Sequence, residues 1–391
     1  MNLLRIRRFM LSPYTLLSAA ILIVPLFVVD PFWINRLGLY LVFSILALSM
    51  ALCWGQAGIL SLGHGAFFGL GAYCMAMSLK LLSPDSLNQG TPFPLPDFIT
   101  WNTPPGEALK LPWLWVPFQN LGFGMAAALL VPALFAAVVG WFVFYGGVSG
   151  VFISIITLAL VVILNLVVID QQPITNGFNG LNNLAPFDLA GVVFDPYGLP
   201  AYYLIAGICV LLLLGLRWLG STRAGLLFRA VQADEQRVQY FGYDVAVYKI
   251  FAFSLSALIA GLAGLLFVVN SQYASPTIMD VSISIAVVVW TAVGGRQSLI
   301  GAVLGALAIN GAQNALSESG SLVHVWQLII GIVFVLVVVF LPRGLAGLGA
   351  DLWQHLRPQA KAVEAPALVA EAELLSVPVP QNSHQSGQRQ S

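Results

Sequence analysis

The sequence predicts an all-α polytopic membrane protein with about ten transmembrane helices, both termini cytosolic, and one short amphipathic helix on the cytosolic side. Three observations predict it. Of 391 residues, 59% are hydrophobic and 8% charged, where soluble domains carry about 25% charged residues. Mean hydropathy is +0.89. Apolar runs of about 20 residues, the length that crosses a hydrocarbon core, succeed one another, and the charges fall between them.

The runs begin near Tyr14, Leu37, Ile59, Leu121, Ser149, Ala201, Ile250, Val281, Ser298 and Val323. The first, 14–29, lacks a small-x-small cleavage site and reads as a retained helix held inside by Arg5, Arg7 and Arg8. The run from Val281 is short for a full span and reads as tilted or broken. Each added or lost helix would invert every later loop, so the positive-inside bias tests the set. Thirteen of the sixteen Lys and Arg fall on the cytosolic side, and only Arg36, Lys80 and Lys110 lie outside.

The expected organisation is a membrane domain over 1–356, with outer loops at 83–120 and 170–200, a cytosolic loop at 217–249, and a disordered cytosolic tail at 357–391. The 83–120 loop holds eight prolines with Trp101, Trp113 and Trp115, which favours extended, aromatic-anchored chain over helix. The 170–200 loop is rich in Asn and Gly, which supply turns and neutral donors and acceptors at the mouth. The tail lacks apolar periodicity. Cys53, Cys74 and Cys209 lie singly in apolar runs without CxxC spacing and indicate neither a metal site nor a disulfide framework.

What is absent removes several function classes. The basic residues are few and lie at segment ends, so no nucleic-acid binding is expected. No Gly-Lys dipeptide occurs, so the chain cannot form the phosphate-cradling loop of a self-powered pump. Residues 122–169 contain no Asp, Glu, Lys or Arg, which weighs against a proton- or sodium-coupled carrier. No His-Glu-x-x-His, paired membrane aspartates or Ser-His spacing suggests an intramembrane hydrolase. No catalytic residue, metal or cofactor is therefore assigned, and energy has to come from a partner.

The 217–249 loop holds five of the sixteen basic residues. Over 226–241 the apolar Leu227, Val231, Val238 and Phe241 recur at helical spacing while Asp234, Glu235 and Arg237 face elsewhere, giving one helix stopped near Gly242. Two glycine-rich runs come next. In 55–71, GQAGILSLGHGAFFGLG, the ordinary reading is close helix packing; the functional one is a broken helix that offers unpaired amides to a solute. The second run, 290–305, repeats Gly58-x-x-Ser61-Leu62 as Gly295-x-x-Ser298-Leu299, with Arg296 read as a topology anchor. Ser61, Gly63, His64, Asn176, Asn179, Trp290, Thr291 and Asn310 are the candidate pathway residues. A lone histidine such as His64 is more often a satisfied structural group than a ligand. Asn165, Asn270, Thr291, Asn310 and Gln313 sit in or near spans, where an unpartnered amide costs roughly 2 to 7 kcal/mol. Helix-to-helix hydrogen bonds are their commoner use.

Five segments taken in order, GQAGILSLGHGAFFGLGAY, TNGFNGL, FRAVQADEQRVQYFGYDVAVYKIFAFSLSALIAGLAGLLF, VWTAVGGRQSLIGAVLGALAIN and LPRGLAGL, resemble the branched-chain amino acid and urea permeases of bacterial ABC importers. The resemblance runs over 39–348. The inserted LPDFITWN and LPWLWVPF are most similar to the C-type urea permeases within that family. It implies an inner-membrane subunit that moves a small neutral solute by alternating access. It also implies a second related permease subunit, two ABC ATPase subunits that bind the ATP and magnesium, and a periplasmic solute-binding protein. The ATPase contact of the family carries over to Asp234, Glu235, Arg237 and Gly242. Where members commonly have Arg this chain has Gln232, which shifts the expected docking onto Arg229 and Arg237. The alternatives are a branched-chain amino acid permease and an ATPase-independent urea channel.

Overall fold

Asp30 and Pro31 show how the spans are started. The Asp30 carboxylate accepts from the Phe32 amide at 3.0 Å and Pro31 occupies the first helical position, where its missing N–H costs nothing. The computed structural model describes residues 13–88, 90–103, 107–318, 331–332, 335 and 344–347. In chain order its main helices are α1 (Pro13–Ile23), α2 (Pro31–Met50), α3 (His64–Leu81), α4 (Leu121–Tyr145), α5 (Val151–Asp170), α6 (Leu199–Ser221), α7 (Arg223–Ala233), α8 (Glu235–Tyr240), α9 (Val245–Ser271), α10 (Val281–Gly294) and α11 (Leu299–Glu318).

These supply the first nine of the ten expected spans; of the tenth, from Val323, only a few residues are described, and the 357–391 tail lies outside the described residues. Six helices are long and apolar enough to cross a membrane alone: α2 with its extension to Gln56, α4, α5, α6, α9 and α11. The short α10, 14 residues, closes at Gly295, whose φ of +108° stops the helix.

The core is a post made of α9 and the helices around it. Over its most apolar window α9 is 78% buried, whereas α5 is 22% buried, so α9 is central and α5 peripheral. Helix α9 packs on α4, α3 and α2. Glycines let α3 and α9 touch backbone to backbone: a Cβ at Gly71 would overlap Gly261, and one at Gly264 would overlap the Phe68 carbonyl. The later glycines of the 55–71 run thus serve packing. Cys53, Cys74 and Cys209 are free and buried.

Four expectations change. The third span starts at His64 rather than Ile59, because α2 passes through a π-helical stretch, Ala51–Gln56, into non-helical chain with Gly58 at φ +75°. Helix α9 begins at Val245, five residues early, because Asp244 caps it, accepting from the amides of Ala246 and Val247. The cytosolic helix is two helices: Asp234, at φ −161°, breaks the chain and caps α8 with its own carboxylate. The outer loop carries a hairpin, β1 (Phe187–Leu189) paired antiparallel with β2 (Val192–Phe194), turned by Ala190 and Gly191 at positive φ.

Among its described residues the 83–120 loop holds only short turns of helix, at Pro84–Leu87, Asp97–Asn102 and Val116–Gln119. Trp115 is fully buried and its indole N–H donates to the Ile174 carbonyl at 3.1 Å. Trp101 and Trp113 stay exposed.

Candidate translocation site

The first glycine break is stitched to two helices, α5 and α10. Leu62 N–H donates to Thr157 Oγ1 at 3.0 Å, Ser154 Oγ donates to the Leu60 carbonyl at 2.7 Å, and Gly65 N–H donates to Ser284 Oγ at 3.0 Å. Gly63 N–H is taken by Ser61 Oγ at 3.1 Å. Hydroxyls of α5 and α10 therefore occupy the Leu62 and Gly65 amides, two of those that the broken-helix reading left open for a solute. The second break has a matching device, Gly301 N–H on Ser298 Oγ at 3.0 Å after Gly295. A positive-φ glycine, a serine hydroxyl that accepts from a nearby backbone amide and a new helix recur at both.

His64 is 1% exposed, with Nε2 3.4 Å from Ser256 Oγ and its ring edge-on to Phe67 at 6.0 Å. The Ser49 and Ser61 backbones flank the ring; Nδ1 meets no partner in hydrogen-bond geometry.

The other pathway candidates split into two groups. Thr291 Oγ1 donates to the Val287 carbonyl at 2.9 Å, Asn310 Nδ2 to Ala306 at 2.8 Å, and Trp290 packs on Phe43 with ring centres 5.0 Å apart. None of these three lines a described cavity. Thr291 Oγ1 also lies 3.4 Å from the Ala47 carbonyl of α2, and none of these contacts links the three to Ser61, Gly63 or His64. Asn165 likewise bonds the Pro276 carbonyl at 2.7 Å, and Asn270 and Asn35 bond each other's backbones at 3.2 and 2.9 Å.

Asn176 and Asn179 line an outer cavity of about 330 Å³ together with Asn182, Asn183, Lys80 and Asp97. Asn176 holds the left-handed turn at φ +61° and its amide donates to the Gly180 carbonyl at 2.8 Å. The Lys80 side chain, 3% exposed, reaches Asp97 at 3.0 Å and the Asn182 carbonyl at 3.0 Å. This ion pair fastens the proline-rich loop to the end of α3. Its charge is compensated, and the remaining lining is four asparagines, Gly180 and the apolar Phe98, Trp101 and Leu181.

On the cytosolic side Val231, Val238 and Val245 form a small separate cluster that folds α7 and α8 back against the start of α9. Glu235 pairs with Lys249, whose ammonium sits 5.7 Å from the Phe144 ring centre. Asp234 accepts from Arg237 N at 3.1 Å and pairs with Arg237 Nε at 2.9 Å. Gly242, at φ +84°, ends the segment as expected. Phe241 departs from its expected place on the apolar face: it is 80% exposed, beside Tyr240 at 89%. Arg229 departs too, since its guanidinium turns back onto the Gly220 and Gly225 carbonyls instead of outward. Helical spacing placed Phe241 inside, but α8 ends at Tyr240 and Phe241 caps it, outside the helical turn that buries Val238.

Residues 33–338 match the family described as branched-chain amino acid transport system / permease component. The LivM high-affinity branched-chain amino acid permease protein of Escherichia coli strain K12 is 24% identical over 344 residues, 81% of this chain and 71% of the relative. The RbsC ribose import permease of the same strain is 28% identical over 227 residues, 56% of this chain and 68% of the relative. A probable LivH permease protein of Methanocaldococcus jannaschii is 27% identical over 255 residues, 60% and 78%. No solved structure matches.

Proposed function

The chain belongs to the branched-chain amino acid transport permease family, and from that premise we propose that it is the subunit through which an inner-membrane ABC importer passes urea. Subunits of this family are non-catalytic transmembrane parts of ABC transporters that work with ATPase and solute-binding partners. The observation that carries urea is the outer cavity. Its four asparagines, with a Lys80–Asp97 pair that balances its own charge, suit a small neutral molecule that donates and accepts but brings no charge to be met.

Loaded binding protein docks on the outer loops, the ATPase dimer presses on the α7–α8 segment, and the two glycine breaks relay that motion to the spans. Asp234, Glu235, Arg237 and Gly242 shape the segment that is pressed. Tyr240 and Phe241, exposed beside them, are the apolar contact that an ATPase groove would cover.

The second reading, a branched-chain amino acid as solute, is favoured by the similarity to LivM, a high-affinity branched-chain amino acid permease protein. Labelled urea and labelled leucine, each at low external concentration, are compared in cells with and without the chain. Loss of ATP-dependent urea uptake alone upholds the proposal; loss of leucine uptake alone replaces urea by leucine and leaves the coupling segment as described.

A further inference from the structure

The acids of the α7–α8 segment are not used alike. Asp234 and Arg237 pair with each other inside the segment. Glu235 reaches across to a span: its carboxylate pairs with Lys249 Nζ, near the start of α9. The Lys249 side chain is 8% exposed and that of Glu235 44%. Beside the ammonium lies the Phe144 ring at the end of α4, and edge-on to that ring, at 6.0 Å, lies Phe253 of α9. Next to them Tyr145 Oη donates to Asp244 Oδ2 at 2.9 Å, and Asp244 caps α9. The foot of α9 is thus fixed to α4, and α8 is fixed to that foot.

Helix α9 carries the contact inward. At about 3.6 residues per turn Lys249, Phe253 and Ser256 fall on one face, and all three are buried. Phe253 stands edge-on to Phe67 of α3 at 5.4 Å, and Ser256 Oγ lies 3.4 Å from His64 Nε2. His64 is the first residue of α3 and follows Gly63 of the first glycine break. A continuous row of contacts therefore joins α8 to that break through one face of α9.

We propose that Lys249 is a positioning residue for transport, the link by which displacement of α7–α8 moves α9 and, through Phe253 and Ser256, the first glycine break. The inference rests on the reading that the ATPase presses on α7–α8. It assigns Glu235 to the inside of the chain and leaves Tyr240 and Phe241 as the side offered to the ATPase. Val231, Val238 and Val245 also join α8 to α9, but apolar contact is non-directional and lets surfaces slide. A charge-assisted hydrogen bond holds its direction and resists pulling as well as pushing. Stability alone does not call for the pair, because a well-packed apolar residue in place of a buried ion is often neutral or stabilising.

The complete transporter is reconstituted in vesicles, and ATP hydrolysis is measured together with uptake of labelled urea and of labelled leucine, the solute that wild type imports serving as the readout. Lys249→Met keeps an apolar stem beside Phe144 and removes the charge; Glu235→Gln neutralises the other partner. Each is expected to cut uptake about tenfold and to raise the ATP hydrolysed per solute imported by a similar factor, and the two together to lose no more than either alone, as partners in one contact do. Lys249→Arg, which restores the charge, should recover most of the uptake. If Lys249→Met does not assemble, Glu235→Gln at its half-exposed position gives the same readout. Wild-type uptake by Lys249→Met would overturn the proposal, as would losses that multiply in the double variant. Hydrolysis that falls in step with uptake in Glu235→Gln would overturn it too, since Glu235 would then belong to the ATPase contact. Tyr240→Ser with Phe241→Ser separates the underlying reading: unchanged uptake there would remove the ATPase from α7–α8 and the proposal with it, whereas lost uptake there beside an unaffected Lys249→Met would sink the Lys249 link alone.

Discussion

The outer and cytosolic mouths hold their charge in opposite ways. Outside, Lys80 and Asp97 neutralise each other within the chain, and four asparagines line the space beside them. Inside, Arg217, Arg229 and Arg296 line a cleft with no acid among its described lining residues, and Tyr240 and Phe241 stand exposed on the α7–α8 segment that also carries Arg229. The outer mouth is finished by its own residues. The cytosolic mouth leaves Tyr240 and Phe241 uncovered, the surface that the proposed ATPase contact would close.

The largest effect is expected from breaking the cytosolic side. Asp234→Lys with Glu235→Lys removes the α8 cap, the Arg237 contact and the Lys249 partner together. ATP-dependent uptake should fall to background while the chain stays in the membrane fraction. Uptake at the wild-type rate would show that this segment is not where energy enters, and the contrast between the mouths would lose its functional meaning.

A smaller loss is expected outside. Lys80→Met strands the Asp97 carboxylate, 17% exposed, and removing one member of a buried pair costs about 3 kcal/mol. The thermal midpoint of the purified transporter should drop. Adding Asp97→Asn, which keeps a side-chain acceptor for the Phe98 amide now bonded at 2.9 Å, should recover more than half of that drop. Equal midpoints for the single and double variants would show that the pair does not fasten the loop. Smaller again is Asn179→Asp, which places one uncompensated charge in the outer cavity. It should raise the half-saturation concentration for urea by about 3-fold with little change in thermal midpoint, since a rim charge in contact with water interacts by about 1 kcal/mol or less. An unchanged half-saturation concentration would remove Asn179 from the path.

The spans, their order and the short α10 were legible because length and hydropathy are summed over many residues. Charge bias oriented them for the same reason. The break at Asp234 was not legible by periodicity, because Val231 and Val238 keep helical spacing on either side of it and both stay buried. The signal was present in another form: Asp three residues before an amide it can cap is a helix start, and here that amide is Arg237 N. The inner cleft was hidden because its arginines are 79 residues apart at the extremes, 217 and 296, and each alone satisfies the positive-inside rule.

The candidate residues in α10 and α11 give the smallest expected effect and the sharpest test of what polar groups do between the mouths. An asparagine or threonine in a span can serve either a neighbour or a solute, and sequence cannot tell which. In the structure Thr291 is wholly buried and bonds Val287 within its own helix, and Asn310 bonds Ala306 in the same manner. Thr291→Val keeps the shape and removes only the hydroxyl, whose carbonyl partner already belongs to the helix ladder, so stability should change by about 1 kcal/mol or less. Urea uptake should stay within about 2-fold of wild type, the equivalent of less than 1 kcal/mol in the transport barrier. A tenfold loss of uptake with an unchanged thermal midpoint would mean that the Thr291 hydroxyl leaves Val287 to meet the solute in another state of the cycle, and the path would then run beside α10 rather than being confined to the region of the first break.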